Sequence, residues 1–164
     1  MIFDAITDFA ALLPRGRAVM GLDPGTKTIG VAVSDRLLSV ATPLETVKRV
    51  KFTTDAARLA EIATHREIGA MIIGLPTNMD GSEGPRAQSV RAFARNLAQS
   101  AAFKEMPIGF WDERLSTVAA ERALLEADTS RKRRAALIDA VAAGYILQGA
   151  LDRLRHLRAN DHDR

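Results

Sequence analysis

Apolar and polar positions along the chain alternate between two periods, and the order of those periods sketches a fold. Ile2, Phe3, Ile6, Phe9, Ala10 and Leu13 recur at helical spacing and stop at Pro14, predicting an amphipathic helix over 2–13 laid on the domain. Three strands are expected next, at about 18–23, 28–34 and 37–48, the third broken by Pro43. A helix over about 54–67 carries Leu59, Ile62 and Ala63 on one face, with Thr53 or Thr54 as its cap. Ala70 to Leu75 is an unbroken apolar run, the mark of a strand covered on both faces. Helices are expected over about 86–100, 117–127 and 135–157, with Ser116-Thr117 capping the second and a basic linker over 128–134. Ile108-Gly109-Phe110-Trp111 reads as the last strand.

The first three strands are joined by short turns and should pair antiparallel. The later ones are reached through helices and should be parallel. The pattern therefore predicts an α/β chain with one mixed five-stranded sheet and helices on both faces. Its boundaries divide into an N-terminal helical extension (1–15), a single α/β domain (16–158) and a frayed tail (159–164). The loop 76–85, Pro76-Thr77-Asn78-Met79-Asp80-Gly81-Ser82-Glu83-Gly84-Pro85, is longer than most strand-to-helix connections, and such loops tend to carry function.

Composition narrows the chemistry. The 164 residues contain no cysteine, which removes disulfides, thiolate zinc sites and a cysteine nucleophile. No apolar run reaches the length of a membrane span, and the acidic N-terminus lacks a secretory signal's basic start, so a cytoplasmic location is expected. Net charge is only +3, but it is uneven: Arg131-Lys132-Arg133-Arg134 form one cluster and Arg153, Arg155 and Arg158 another. Such clusters fit a polyanion footprint, although most runs of Lys and Arg are simply a solvated face.

Three acids stand out by position. Asp23 ends the first strand, in Met20-Gly21-Leu22-Asp23-Pro24-Gly25, beside a Pro-Gly turn and facing a returning strand that contains Gly30. Glu113 follows the last strand. Asp139 lies near the start of the final helix, where Ala142, Ala143 and Gly144 let that helix approach the sheet. Ligands bind beyond the carboxyl ends of the strands in open α/β sheets, and this is where Asp23 and Glu113 sit. Hard carboxylate oxygens without His or Cys neighbours select Mg²⁺ or Mn²⁺. Two such ions about 4 Å apart can support phosphodiester hydrolysis. Each acid also has a plainer use: Asp23 could cap its turn, Asp139 could favour a helix N-terminus, and Glu113 could pair with Arg114 or Arg122. Asp112 rivals Glu113, because alternation along a strand sends the two to opposite faces. His65, His156 and His162 are scattered and form no ligand or triad pattern.

Together these stretches resemble the YqgF family, the pre-16S rRNA nucleases also described as Holliday junction resolvase-like proteins. The resemblance rests on Gly21-Leu22-Asp23-Pro24-Gly25 with Gly30-Val31-Ala32-Val33-Ser34-Asp35. It continues in Gly74-Leu75-Pro76 with Asn78-Met79-Asp80-Gly81-Ser82, in Asp112-Glu113-Arg114-Leu115-Ser116-Thr117 and in Asp139-Ala140-Val141-Ala142-Ala143. It implies a ribonuclease H-like fold with strand order 3-2-1-4-5 and metal-binding catalytic acids at Asp23, Glu113 and Asp139. The implied activity is metal-dependent cleavage of structured nucleic acid, with maturation of the 5′ end of 16S rRNA as the task and the small ribosomal subunit or its precursor RNA as partner. Lys27, Arg114 and Arg131, Lys132, Arg133 and Arg134 would contact phosphates, and the 76–85 loop would shape the groove. The chain departs from the related resolvases at the fourth strand, where they place an acid and it has Gly74-Leu75-Pro76. In that order Glu113 lies two strands from Asp23, roughly 10 Å at about 4.8 Å per strand.

Other readings of the same residues are cleavage of branched DNA and a non-catalytic nucleic-acid-binding ribosome-assembly factor. A third is a phosphotransferase, since Asp23-Pro24-Gly25-Thr26 also resembles the first phosphate loop of the actin and sugar-kinase ATPases. That last fold needs a second glycine loop and a second domain, which 164 residues do not hold.

Overall fold

The computed structural model describes residues 1–115 and 131–162, and for 131–137, 161 and 162 the backbone alone. The expected helix over 117–127, its Ser116-Thr117 cap and residues 128–130 of the basic linker lie outside the described residues, as do 163 and 164.

Strands β1 (Ile2–Phe3), β2 (Ala18–Pro24), β3 (Thr28–Ser34), β4 (Ala41–Lys48), β5 (Ile68–Leu75) and β6 (Ile108–Asp112) form one sheet in the order β1-β6-β5-β2-β3-β4. The β2–β3 and β3–β4 pairs are antiparallel and the rest parallel. The order expected for the five long strands is present, with a sixth strand added at the β6 edge. That strand corrects the helix expected over 2–13. Ile2 and Phe3 pair with Ile108 and Gly109, and only Ile6–Ala11 form helix α1. Two apolar residues in a row satisfy either period, so the pattern could not separate a two-residue strand from a helix start. Phe9 of α1 is fully buried and rests against Gly109, where a Cβ would lie 2.9 Å from its ring.

Helices α2 (Phe52–His65) and α3 (Pro85–Gln99) cover one face of the sheet; α1 and α4 (Arg131–His162) cover the other. Strand alternation divides the side chains accordingly. Met20 and Leu22 join Leu59, Phe93 and Leu97 on the α2–α3 side. Val19, Ala32 and Ile72 join Ile146 and Leu147 on the α4 side. Both faces being covered explains why β5 is buried along its whole length.

Three local expectations change. Pro43 does not break its strand: β4 is the sheet edge, and the proline sits where the register with β3 shifts, so its missing N–H costs no regular ladder bond. Neither Thr53 nor Thr54 caps α2; the helix starts after Lys51, and buried Asp55 instead accepts from the Val50 N–H at 3.1 Å. The final helix runs from Arg131 through His162, taking in the basic stretch 131–134 and most of the tail expected to fray. Among the described residues no helix is long and apolar enough to cross a membrane.

Candidate active site

The carboxyl ends of β2, β5 and β6 form the tip of the sheet, and three backbone-bare positions decide what reaches it. Asp23, second from the end of β2 and only 6% exposed, pairs across the hairpin with Gly30 of β3. Directly opposed residues share a face, and this face is the one α4 covers. A Cβ on Gly30 would lie 1.9 Å from the Asp139 carbonyl oxygen, so the α4 main chain rests on the strand there. Lower on β2, a Cβ on Gly21 would lie 2.7 Å from Leu147 Cβ and 3.2 Å from the Ala143 oxygen. The small residues of α4 are thus met by glycines on the sheet, and that contact sets the Asp139 main chain over Gly30, the residue opposite Asp23. The Asp139 carboxylate is held by the hydroxyl of Thr28, which donates to Oδ2 at 2.5 Å.

Glu113 opens a single 3₁₀ turn (Glu113–Leu115) directly after β6 and is half-buried. Its Oε1 lies 3.2 Å from where a Cβ on Gly74 would sit. Gly74 is one residue beyond the Leu22–Ile73 pair, level with Asp23 on the intervening strand. Glu113 therefore leans over β5 toward β2 through space that a side chain at 74 would fill.

Asp112, the rival acid, faces the other way. It accepts from Thr77 Oγ1 at 2.5 Å and from the Arg114 main chain and guanidinium. The Arg114 guanidinium foremost, with the Thr77 hydroxyl adding to it against partial burial, holds the Asp112 carboxyl down at about 2. Arg114 also donates from NH1 to the Met79 carbonyl, so it ties the 76–84 loop to the end of β6. That loop closes on itself through the Asn78–Ser82 main-chain and side-chain bonds, with Gly81 at a φ of +89°.

Of the basic residues expected to touch phosphate, Lys27 is exposed in the β2–β3 turn beside Asp23. Arg114 is committed to Asp112 and the loop. Arg131, Lys132, Arg133 and Arg134 form the start of α4, roughly 8–12 Å along the helix axis from Asp139, and their side chains lie outside the described residues. His65 and His156 are exposed. Sequence reasoning missed Thr28 and two arginines at the sheet tip, Arg49 and Arg86. Thr28 and Asp139 are 111 residues apart, and no spacing signals that bond.

Residues 17–153 match the family described as RuvX, Holliday junction resolvase. The chain belongs to that family. Among its relatives, a Ruegeria sp. (strain TM1040) protein is 69% identical over 98% of this chain and the whole of its own length. One from Roseobacter denitrificans is 70% identical over 97% of each chain. Both are named, provisionally, as pre-16S rRNA nucleases. Among solved structures, T. thermophilus RuvC in complex with a Holliday junction substrate superposes with a TM-score of 0.54 at 20% identity, over 84% of this chain and 96% of that one. The chain thus has a ribonuclease H-like fold. It is a nuclease, a phosphodiester hydrolase.

Proposed function

We propose that this nuclease cleaves precursor 16S rRNA in the maturation of its 5′ end, with Asp23, Glu113 and Asp139 as the catalytic acids. The observation that carries the assignment of the acids is the glycine pair beneath them: Gly30 admits Asp139 to the side of Asp23, and Gly74 admits Glu113 from the strand beyond. The substrate reading rests on the relatives' names. The family description favours a second substrate, a four-way DNA junction.

The donor set is all carboxylate oxygen, which suits Mg²⁺ or Mn²⁺. Among the described residues no three acids or histidines close into a ready-made cage. Mg²⁺ does not require one, since it keeps several waters and is commonly held by one or two carboxylates plus substrate phosphate. Asp23, Glu113 and Asp139 would hold the ion, which when bound would activate water and offset charge on the phosphodiester. The chain's own contributions are positional. Thr28 fixes one oxygen of Asp139, the buried walls around Asp23 keep its carboxylate short of water, and Lys27 offers a cation to the incoming backbone.

The test is cleavage of precursor rRNA against a four-way DNA junction with Mg²⁺, Mn²⁺ or EDTA. Asp23→Asn should abolish cleavage and keep binding; undiminished cleavage by that variant removes Asp23 from the mechanism. Preferential cutting of the junction would replace the RNA reading with the DNA one.

A further inference from the structure

Asp23 faces α4, so by alternation Pro24 faces the opposite side of the sheet, toward α3. There, beyond the Gly25 turn, lies a recess of about 160 Å³ between the β2–β3 turn and the start of α3. Arg86, Ser89 and Phe93 line it at spacings of three and four, so they share one stripe of the helix. Arg49, just after β4, closes it from the sheet side. Its guanidinium is fixed from two directions: NH1 donates to the Gly25 carbonyl at 2.6 Å, and the group lies 5.1 Å from the centre of the Phe93 ring. Arg58, Arg91, Arg114 and Arg155 all pair with acids. Arg49 and Arg86 have no acidic partner among the described residues.

We propose that this recess binds a sugar–phosphate unit of the nucleic-acid strand, close in sequence to the phosphate held at the acids. The inference rests on the reading of Asp23, Glu113 and Asp139 as the cleavage site and extends it around the sheet tip. Two guanidiniums and a hydroxyl at the rim match a phosphodiester's charge and acceptors, and the buried Phe93 ring beneath Arg49 holds its guanidinium in place. Gly25, in the turn next to Asp23, also lines the recess, so the two sites adjoin at the sheet tip. Such a contact would set the register of the strand and carry no base preference.

The test measures affinity of the full chain for a precursor-rRNA fragment and for a four-way DNA junction, in EDTA to prevent cleavage, over a series of salt concentrations. Losing one neutralised phosphate lowers affinity by about eightfold at 0.1 M salt and the log–log salt slope by about one. Arg49→Gln with Arg86→Ala should show that loss on both substrates, and Arg86→Ala alone, an exposed residue, should show part of it. Arg95→Ala, on the opposite side of α3, should change neither. Unchanged binding by Arg86→Ala and the double variant, or an equal loss by Arg95→Ala, overturns the proposal. So does the finding that inorganic phosphate raises the Tm of the wild type but not of the double variant while nucleic-acid affinity stays equal, because the recess is then a free-anion site. The two readings fail separately. Normal cleavage by Asp23→Asn would sink the catalytic assignment and leave the salt slopes standing, whereas unchanged slopes with an inactive Asp23→Asn sink the recess alone.

Discussion

The contact between Gly30 and Asp139 makes a sharp prediction, because the atom that blocks a larger residue is main chain. Gly30→Ala would place a Cβ 1.9 Å from the Asp139 oxygen and 2.4 Å from its carbonyl carbon. Restoring an ordinary 3.4 Å contact from 1.9 Å requires α4 to retreat by about 1.5 Å. Overpacking costs typically about 1–3 kcal/mol, and a helix backbone cannot rotate away as a side-chain end can, so about 3 kcal/mol is expected. With a urea m-value of about 2 kcal/mol/M, the unfolding midpoint should fall by about 1.5 M. Trp111, the only tryptophan, is buried against α4 and gives the fluorescence readout. The retreat also carries Asp139 away from Thr28 and Asp23, and a displacement of about 1 Å can cost about 100-fold in rate. Gly74→Ala is the matched comparison. Its Cβ would meet Ile146 Cδ1 at 2.5 Å, a flexible end that can yield, and Glu113 Oε1 at 3.2 Å. It should cost about 1 kcal/mol or less while still reducing cleavage by pushing the carboxylate. A Gly30→Ala protein with a wild-type midpoint and full cleavage would refute the docking of α4 on β3 and the catalytic geometry built on it.

Phe9→Ala should destabilise the chain by about 3–5 kcal/mol in urea unfolding, because Phe9 is fully buried over Gly109; an unchanged midpoint would make the N-terminal segment an appendage. Asp112→Asn should cost about 1 kcal/mol at pH 7, a value reduced for solvent screening of a pair 25% and 36% exposed. Since the folded-state pKa of Asp112 is depressed to about 2, that contribution is whole above its unfolded value near 3.8 and disappears as pH falls from there towards 2. A stability gap between the two proteins that stays constant over that range would contradict the Arg114 pairing.

Much of this was readable along the chain because the relevant signals are local or periodic. The apolar run at 70–75 announces a strand buried on both sides, and the turn glycine after Asp23 marks the strand's tip. The small residues after Asp139 announce a helix that must come close to something. What they approach is not local. Gly30 is bare because Asp139, more than a hundred residues later, lies on it, and Thr28 matters because of the same approach. The basic residues behaved differently again. Arg114 sits in a motif and was expected at phosphate, yet its geometry commits it to Asp112 and the Met79 carbonyl. Arg49 and Arg86 sit in no motif and become a pair only when α3 packs beside the β2–β3 turn. Charge along a sequence does not say which guanidinium an acid will neutralise; only the packed structure decides that.

The end of β5 is where the chain departs from the related resolvases, and the absence of an acid there has a steric explanation. An acid at position 74 and an acid at 113 compete for one volume on the α4 side of the sheet, since the Gly74 Cβ position lies 3.2 Å from Glu113 Oε1 and 2.5 Å from Ile146. With glycine at 74, a side chain from β6 can lean over β5 and narrow a gap of roughly 10 Å between alternate strands. A larger side chain there would press on Glu113 and Ile146. The two positions are therefore one structural choice. The missing carboxylate on β5 is what lets a carboxylate arrive from β6, and the identity of residue 74 governs whether Glu113 can serve the proposed site.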